Sequence, residues 1–337
     1  MLTPPDGLRP DLLEAAITEN WGLTGVELEY RALGFGSHHW EVGAAGGGRW
    51  FATLDELPVK RLSRDEPLDS AFGRLRSSLA AATDLRQAGL DFAASPVPTL
   101  TGAPLVRLSE EFSLALYAFI SGRSYVWGEH FSAEHRRAML DHVVAIHTAP
   151  AVTRRHAVRD DLAVQHRAEL DAVLDGWAPP AGSAPCGPFE QPTLALIARY
   201  EPEIRELLGA YDALAAKVAA RPERAVLTHG EPHVGNSMLT AAGWVLIDWD
   251  TALISPPERD LCNLDPGDGS ILAAYERATG TVLMPQALEL FRRRWNLADL
   301  ALAVSEFTEP HSGNANNQES FDLLGALLGR TKDLSST

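Results

Sequence analysis

Apolar and polar residues alternate over the first third of the chain as they do in β-strands. From Val26 to Leu57 the chain reads VELEYRALGFGSHHWEV, then a glycine-rich break and RWFATLDEL, which predicts a small β-meander. The apolar stretch SLALYAFI predicts the central strand of a further hairpin. Between these strands, LDSAFGRLRSSLAAATDLRQAGL repeats apolar residues at helical spacing as far as Gly89, which predicts one helix.

Helical spacing dominates after Ser132. The longest predicted helices are AEHRRAMLDHVVAIHTA, RDDLAVQHRAELDAVLDGW and PTLALIARYEPEIRELLGAYDALAAKVAA. A β island, AVLTHGE followed by GWVLIDWD, lies among them, and Ala242-Gly243 offers a hairpin turn. We therefore predict an α+β protein of two lobes, a small β-rich lobe over residues 1–120 and a larger helical lobe over residues 121–337.

Composition narrows the class of protein. The 337 residues are 45% hydrophobic, which is enough for a sizeable core. The 45 acidic and 29 basic residues give a net charge of −16, which disfavours nucleic acid and favours a cationic partner. Cys186 and Cys262 lie too far apart in sequence for a CxxC site. The first residues lack a signal-peptide pattern and no apolar run approaches ~20 residues, so we expect a soluble cytoplasmic protein without a membrane partner.

One stretch carries the candidate chemistry. LTHGEPHVGNSM, residues 227–238, sets Glu231 among two histidines, two glycines and an asparagine, and VLIDWD follows shortly afterwards. Magnesium-dependent phosphoryl transfer needs a carboxylate near the attacking hydroxyl, and oxygen ligands that hold the cation against the nucleotide phosphates. Glu231, Asn236 and Asp248 supply that set.

HGEPHVGN followed by IDWD resembles the signature of the aminoglycoside phosphotransferase family, small-molecule kinases with a protein-kinase-like fold. The resemblance implies that Glu231 is the catalytic acid, that His229 braces its loop, and that Asn236 and Asp248 hold Mg²⁺. It also implies that Asp260 ties this loop to the next helix. The family has Asp where this chain has Glu231, but both acids are ionised at neutral pH, with reference pKa values of ~3.9 and ~4.3.

The resemblance extends to a nucleotide site for ATP or GTP. Backbone groups of one strand end would bind the base, and a glycine-containing hairpin turn would cover the phosphates. The residues so implied are Gly34, Gly36, Ser37, Tyr117, Ala118 and Phe119.

This chain departs from the family at the lysine that usually holds the phosphates from the third strand. RWFATLDELPVK offers Thr53 or Leu54 there, and no lysine precedes Lys60. The next helix lacks an early acid to pair with such a lysine and carries Arg74 and Arg76 instead. We therefore expect Arg74, Arg76 or Lys60 to contact the phosphates.

The resemblance places the acceptor pocket among the C-terminal helices and the loops before them. Carboxylates there would pair with the amino groups of a cationic acceptor, such as an aminoglycoside-like antibiotic or another sugar-like or nucleoside-like molecule. Trp127, Trp249 and Trp295 offer rings for stacking. The residues assigned to the acceptor are Asp265, Asp268, Glu306 and Trp249.

Three alternatives remain open from the sequence. The first is a metabolic kinase for a sugar, amino alcohol or nucleoside. The second is a catalytically inactive pseudokinase, which the missing lysine favours and the intact Asn236 and Asp248 oppose. The third is a zinc hydrolase using His229, Glu231 and His233; the HExxH spacing is absent, which counts against it.

Overall fold

The computed structural model describes residues 1–5, 8–34, 36–178, 182 and 184–335, with the backbone alone described for residues 330–335. The N-terminal region is an antiparallel sheet with the strand order β1-β2-β3-β5-β4 and two helices. Its elements are α1 (Pro10–Trp21), β1 (Glu27–Arg31), β2 (His38–Gly43), β3 (Arg49–Glu56), α2 (Leu68–Gln87), β4 (Val106–Arg107) and β5 (Phe112–Ala118).

The meander, the helix and the hairpin predicted for this region are confirmed. Strand β5 lies between β3 and β4, as its apolar sequence predicted, with Leu54 opposite Leu114. Because side chains alternate along a strand, Leu54 and Leu116 face a core shared with α1, whereas Asp55 and Tyr117 lie on the opposite face. Ala115, on that opposite face, shares a core with Leu75 of α2, and Asp55 on the same face contacts Lys60 in the loop after β3 at 3.1 Å.

The C-terminal region is mainly helical and holds the larger core. Its helices are α3 (Ala133–His147), α4 (Arg167–Leu174), α5 (Glu190–Arg199), α6 (Glu201–Ala219), α7 (Glu258–Leu261), α8 (Ser270–Thr279), α9 (Pro285–Phe307) and α10 (Ala315–Ser335). Ser132 caps α3 by accepting a hydrogen bond from the amide of His135 at 3.2 Å. Residues of α2, such as Leu75 and Leu79, share this core. The boundary near residue 120 therefore stays a prediction, because one N-terminal helix packs with the larger region.

One predicted helix is shorter than expected. The pattern RDDLAVQHRAELDAVLDGW predicted a helix from residue 159, but α4 begins at Arg167. Leu162 and His166 adopt positive φ angles of 62° and 55°, which a right-handed helix excludes. The segment before α4 is instead an irregular crossing: the amide of His166 donates to the carbonyl of Leu62 at 2.6 Å.

The β island is built from two small sheets. Its strands are β6 (Gly122–Ser124), β7 (Val226–Thr228), β8 (Ser237–Thr240), β9 (Gly243–Leu246) and β10 (Leu253–Ser255). Strands β8 and β9 form the predicted hairpin, with the turn one residue earlier than expected, at Ala241-Ala242. Within the described residues, no helix is long and apolar enough to cross a membrane.

Candidate active site

The loop between β7 and β8 presents Glu231 to the cleft. A short 3-10 turn, Val234–Asn236, closes this loop. The carbonyl of Glu231 accepts the amide of His233 at 2.8 Å and the side-chain nitrogen of Asn236 at 3.1 Å. Its side chain remains 35% exposed, and Nε2 of His233 lies 3.7 Å from its Oε2. The loop therefore winds around the backbone of Glu231 and leaves the acid free to meet a ligand.

His229 braces this loop from beneath. Its Nε2 donates to the carbonyl of Ile247 at 2.9 Å, while its Nδ1 accepts the amide of Glu231 at 3.2 Å. Burial lowers the pKa of the ring, which keeps it neutral and suits this donor and acceptor pair. Both ring nitrogens are engaged, so His229 cannot serve as a zinc ligand. Among the residues that the structure describes, no group of three or more His, Cys, Asp and Glu side chains is arranged to hold a metal ion.

Asp260 fixes the start of the loop, as the resemblance implied. Its carboxylate accepts the amide of His229 at 2.9 Å, the amide of Gly230 at 2.6 Å and Nε2 of His147 at 3.1 Å. Gly230 is required here because its φ is +104° and an added Cβ would lie 2.4 Å from the guanidinium of Arg259. One buried carboxylate thus sets the direction in which Glu231 leaves the strand.

The proposed metal ligands lie on two paired segments of the chain. Ile247 donates its amide to the carbonyl of Asn236 at 2.9 Å, extending the β8–β9 pairing by one position, and Asp248 follows directly. Asp248 has a φ of +68°, a strained conformation for a residue other than glycine that is common at functional sites. Asn236 donates its side-chain amide to the loop, which leaves its oxygen as an acceptor. Hard oxygen donors of this kind fit Mg²⁺.

Lys60 enters the same site from the loop after β3. Its ammonium lies 2.7 Å from Oδ2 of Asp250, 3.1 Å from Oδ1 of Asp55 and 3.2 Å from the hydroxyl of Ser37. Burial disfavours the charged lysine, but the carboxylates of Asp250 and Asp55 outweigh it and raise the pKa of Lys60. Lys60 thus brings the positive charge that β3 lacks.

Three acids, Asp55, Asp248 and Asp250, form an acid cluster around the one ammonium of Lys60, so negative charge exceeds positive charge there. Partial desolvation by the surrounding atoms, followed by the neighbouring carboxylates of Asp250 and Glu231, raises the pKa of Asp248, although the residue remains exposed to solvent. Asp250, by contrast, has a lowered pKa, because the ammonium of Lys60 outweighs its burial. The ammonium of Lys60 forms ion pairs with Asp55 and Asp250 and acts on Asp248 only through a longer-range attraction, which is compatible with a place for Mg²⁺ at Asp248.

The two arginines expected at the phosphates lie elsewhere. Arg74 pairs with Glu66 and donates to the carbonyl of Lys60 at 2.6 Å. Arg76 lies on the exposed face of α2, two residues and about 200° further round the helix. Arg74 therefore braces the loop that carries Lys60, and of the three candidates only Lys60 reaches the acid cluster.

The end of β5 offers one free edge for a nucleotide base. Phe119 donates its amide to the carbonyl of Arg49 at 3.3 Å, so the alternation of an antiparallel pair turns the amide and carbonyl of Ala118 away from β3. Tyr117 points its side chain at the acid cluster: burial, with the carboxylates of Asp55, Asp248 and Asp250 adding to it, raises the pKa of its hydroxyl. Of the three residues predicted here, Ala118 is the one whose amide and carbonyl both face away from β3.

The turn between β1 and β2 lies beside Lys60 and the acid cluster. Gly34 and Gly36 have φ angles of +65° and +81°, and Phe35 between them lies outside the described residues. Ser37 is buried and donates its hydroxyl to Asp55 at 2.7 Å. The turn thus contacts the ammonium of Lys60, which would meet the phosphates.

The residues assigned to the acceptor do not form one pocket. Trp249 is only 1% exposed, donates to the carbonyl of Leu246 and packs edge-on against His229 at 4.6 Å, so its ring is closed to a substrate. Glu306 faces α10 and accepts a hydrogen bond from Asn317 at 2.7 Å. Asp265 accepts the amides of Gly267 and Gly269 in the loop before α8, and Asp268 accepts the amide of Ser270, the first residue of α8. The assignment of Trp249 is wrong, and the three acids have structural partners of their own.

An aromatic platform stands beside Glu231 instead. Trp127, from the loop after β6, stacks on Trp295 of α9 with ring centroids 5.5 Å apart and an interplanar angle of 11°. The ring of His233 meets Trp127 edge-on at 4.5 Å. Trp127 is 62% exposed, so one face of its ring is open. These tryptophans lie far from the motif in sequence, and no local pattern distinguishes them from Trp249.

Comparisons with known proteins agree with this architecture. A spectinomycin phosphotransferase crystallised with ADP and spectinomycin aligns with a TM-score of 0.70 at 14% identity, covering 98% of this chain and 100% of that one. An amicoumacin kinase with AMP-PNP and Ca²⁺ aligns with a TM-score of 0.60 at 13% identity, covering 97% and 94% of the two chains. These likenesses confirm the predicted kinase-like α+β fold.

Sequence similarity supplies the family. Protein StrN of Streptomyces griseus is 26% identical over 265 residues, which are 74% of this chain and 76% of StrN. The model of the phosphotransferase enzyme family matches residues 28–296, from β1 to α9. The paired signature in the sequence predicted this family, and the match covers far more than half of the chain. The chain therefore belongs to the phosphotransferase enzyme family.

Proposed function

We propose that this phosphotransferase moves the γ-phosphate of ATP or GTP to a hydroxyl of a small molecule, an aminoglycoside-like or other antibiotic. The observation that carries the proposal is the convergence of Glu231, Asn236, Asp248 and Lys60 from separate segments on one cleft. Solved proteins of the same fold bind spectinomycin or hygromycin B together with a nucleotide. That likeness supports an antibiotic acceptor over a metabolic one.

Each residue has a separate task in this proposal. Glu231 accepts the proton of the acceptor hydroxyl and orients it, because its carboxylate is partly exposed and lies 3.7 Å from His233, whose ring contacts Trp127. Lys60 neutralises phosphate charge, and Ala118 offers its backbone to the base. Asn236 and Asp248 would hold Mg²⁺, which when bound neutralises charge on the phosphates. Phosphoryl transfer rests mainly on such positioning and charge stabilisation.

Lys60 also weakens the pseudokinase alternative. That alternative drew its support from the absence of a lysine on β3. A partly buried ammonium within 3.1 Å of two acids, near Glu231, restores the missing charge.

Glu231→Gln is the variant that tests catalysis. We expect it to lower kcat by about 10²- to 10⁴-fold, the usual contribution of general-base catalysis, and to leave nucleotide affinity within about threefold. Calorimetric titration with ATP and with GTP, each with and without Mg²⁺, measures the second quantity. Steady-state phosphorylation of spectinomycin, hygromycin B and macrolides measures the first. A Glu231→Gln enzyme with full turnover would remove Glu231 from the mechanism, and a wild type that binds neither nucleotide would overturn the proposed function.

Trp127→Ala tests the acceptor platform. An apolar ring face or an amino group seated on the open face of Trp127 gains stacking or cation–π energy. We expect the KM for the acceptor to rise about tenfold with the KM for the nucleotide unchanged. Trp127→Phe is the matched control and should keep most of the affinity. An unchanged acceptor KM in Trp127→Ala would place the acceptor elsewhere.

A further inference from the structure

The loop that carries Lys60 belongs to no strand or helix. Strand β3 ends at Glu56 and α2 begins at Leu68. A lysine on a strand is held in place by the hydrogen bonds of the sheet, whereas a lysine on an irregular loop needs other fixtures. Within the N-terminal region, the loop is held by Arg74 of α2, which donates to the carbonyl of Lys60 and pairs with Glu66.

The next residues of the loop are bonded to the C-terminal region. The carbonyl of Arg61 accepts Nε2 of Gln165 at 2.7 Å, and the carbonyl of Leu62 accepts the amide of His166 at 2.6 Å. Both partners lie in the irregular crossing before α4. The backbone beside Lys60 is therefore held by the region that supplies Asp248 and Asp250.

Arg64 makes the most extensive of these contacts. Its amide donates to the carboxylate of Glu169 on α4. Its side chain reaches the C-terminal end of α9, where Nε lies 2.6 Å from Oε1 of Glu309 and Nη2 lies 2.8 Å from the hydroxyl of Thr308. Thr308 is itself buried and bonded to the last turn of α9. Arg64 thus joins the lysine loop to two helices at once.

We propose that Arg64 is a positioning residue for nucleotide binding: through its side chain, which fastens the loop to the end of α9, it holds the ammonium of Lys60 over the acid cluster. This inference rests on the proposed function, because it assigns Lys60 to the phosphates. It gives the chain a replacement for the usual pairing of a strand lysine with a helix acid. Small displacements of a charged group in a phosphoryl-transfer site are costly, since the reaction depends on placement.

A double-mutant cycle tests the inference. MgATP or MgGTP, whichever the wild type binds more tightly, is titrated into wild type, Arg64→Ala, Lys60→Ala and the double variant. We expect Arg64→Ala to weaken binding by about 10- to 100-fold, the scale of a misplaced group. The double variant should bind within about twofold of Lys60→Ala, because Arg64 acts only through Lys60.

Matched variants separate positioning from general damage. Arg137→Ala removes an exposed arginine that pairs with Asp141 on α3, and should leave affinity unchanged. Glu309→Gln keeps the shape of the side chain that pairs with Arg64 and should lose part of the nucleotide affinity. If Arg64→Ala does not fold, the nucleotide affinity of Glu309→Gln tests the inference in its place. The inference is overturned, while the proposed function stands, if Arg64→Ala binds the nucleotide as tightly as wild type. It is also overturned if Arg64→Ala weakens binding by the same factor in the Lys60→Ala background as in wild type. A wild type that binds no nucleotide would overturn both.

Discussion

Asp248→Ala is expected to lower kcat by about 10³-fold or more, the loss that follows removal of a charge-stabilising group in phosphoryl transfer. The ammonium of Lys60 pairs with Asp55 and Asp250 rather than with Asp248, Asp248 follows the residue that is paired with Asn236, and its backbone is held at a φ of +68°. Removing its carboxylate should also abolish the dependence of nucleotide binding on Mg²⁺. Steady-state turnover and calorimetry with and without Mg²⁺ measure the two effects.

Two controls accompany this variant. Asp248→Asn keeps the shape of the side chain and tolerates a positive φ, so a similar loss in Asp248→Asn assigns the effect to charge. Asp91→Ala removes an acid whose side chain is 84% exposed, and should leave activity unchanged. Retained activity in both Asp248 variants would contradict the assignment of Asp248 as a metal ligand.

Lys60→Ala is expected to reduce kcat/KM for the nucleotide by about 10²- to 10³-fold, because it removes the positive charge that the protein itself places in the cleft. The variant leaves Asp55 and Asp250 without their partner, so we also expect a lower unfolding temperature. Steady-state kinetics with varied nucleotide, alongside thermal unfolding, measures both changes.

Lys60→Arg separates the two effects. It keeps the charge and should regain stability, but its planar group fits a site shaped for an ammonium poorly, so activity should recover only in part. Lys217→Ala, at an exposed position on α6, is the matched control. The assignment fails if Lys60→Ala binds the nucleotide as tightly as wild type.

The sequence predicted that Glu231, Asn236 and Asp248 belong to one neighbourhood because its information there is local, whereas their roles stay predictions. Glu231, Asn236 and Asp248 lie within eighteen positions, on either side of one hairpin, and short spacings of this kind fix relative positions. The alternation of apolar residues likewise predicted the sheet, since burial on one face enforces a period of two. The family and the kinase-like fold followed from these two signals.

Tertiary contacts, which spacing along the chain does not reveal, decide the features of the site that the sequence did not predict. Arg74 and Lys60 are fourteen positions apart, and nothing in their spacing tells which of them points into the cleft. Trp249 follows Asp248 in sequence, but the positive φ of Asp248 redirects the chain, so the next side chain enters the core. Trp127 and Trp295 meet across 168 positions, a pairing that no periodicity reveals.

The loop after β3 has a consequence for how this protein can evolve. Surface loops between a strand and a helix usually accept insertions and deletions, because little depends on their length. Here the loop is bonded to Arg74 on one side and to Gln165 and His166 on the other, with Lys60 between. A change of one residue in its length would shift the ammonium relative to Asp250. This segment should therefore keep its length among close relatives while its exposed side chains vary.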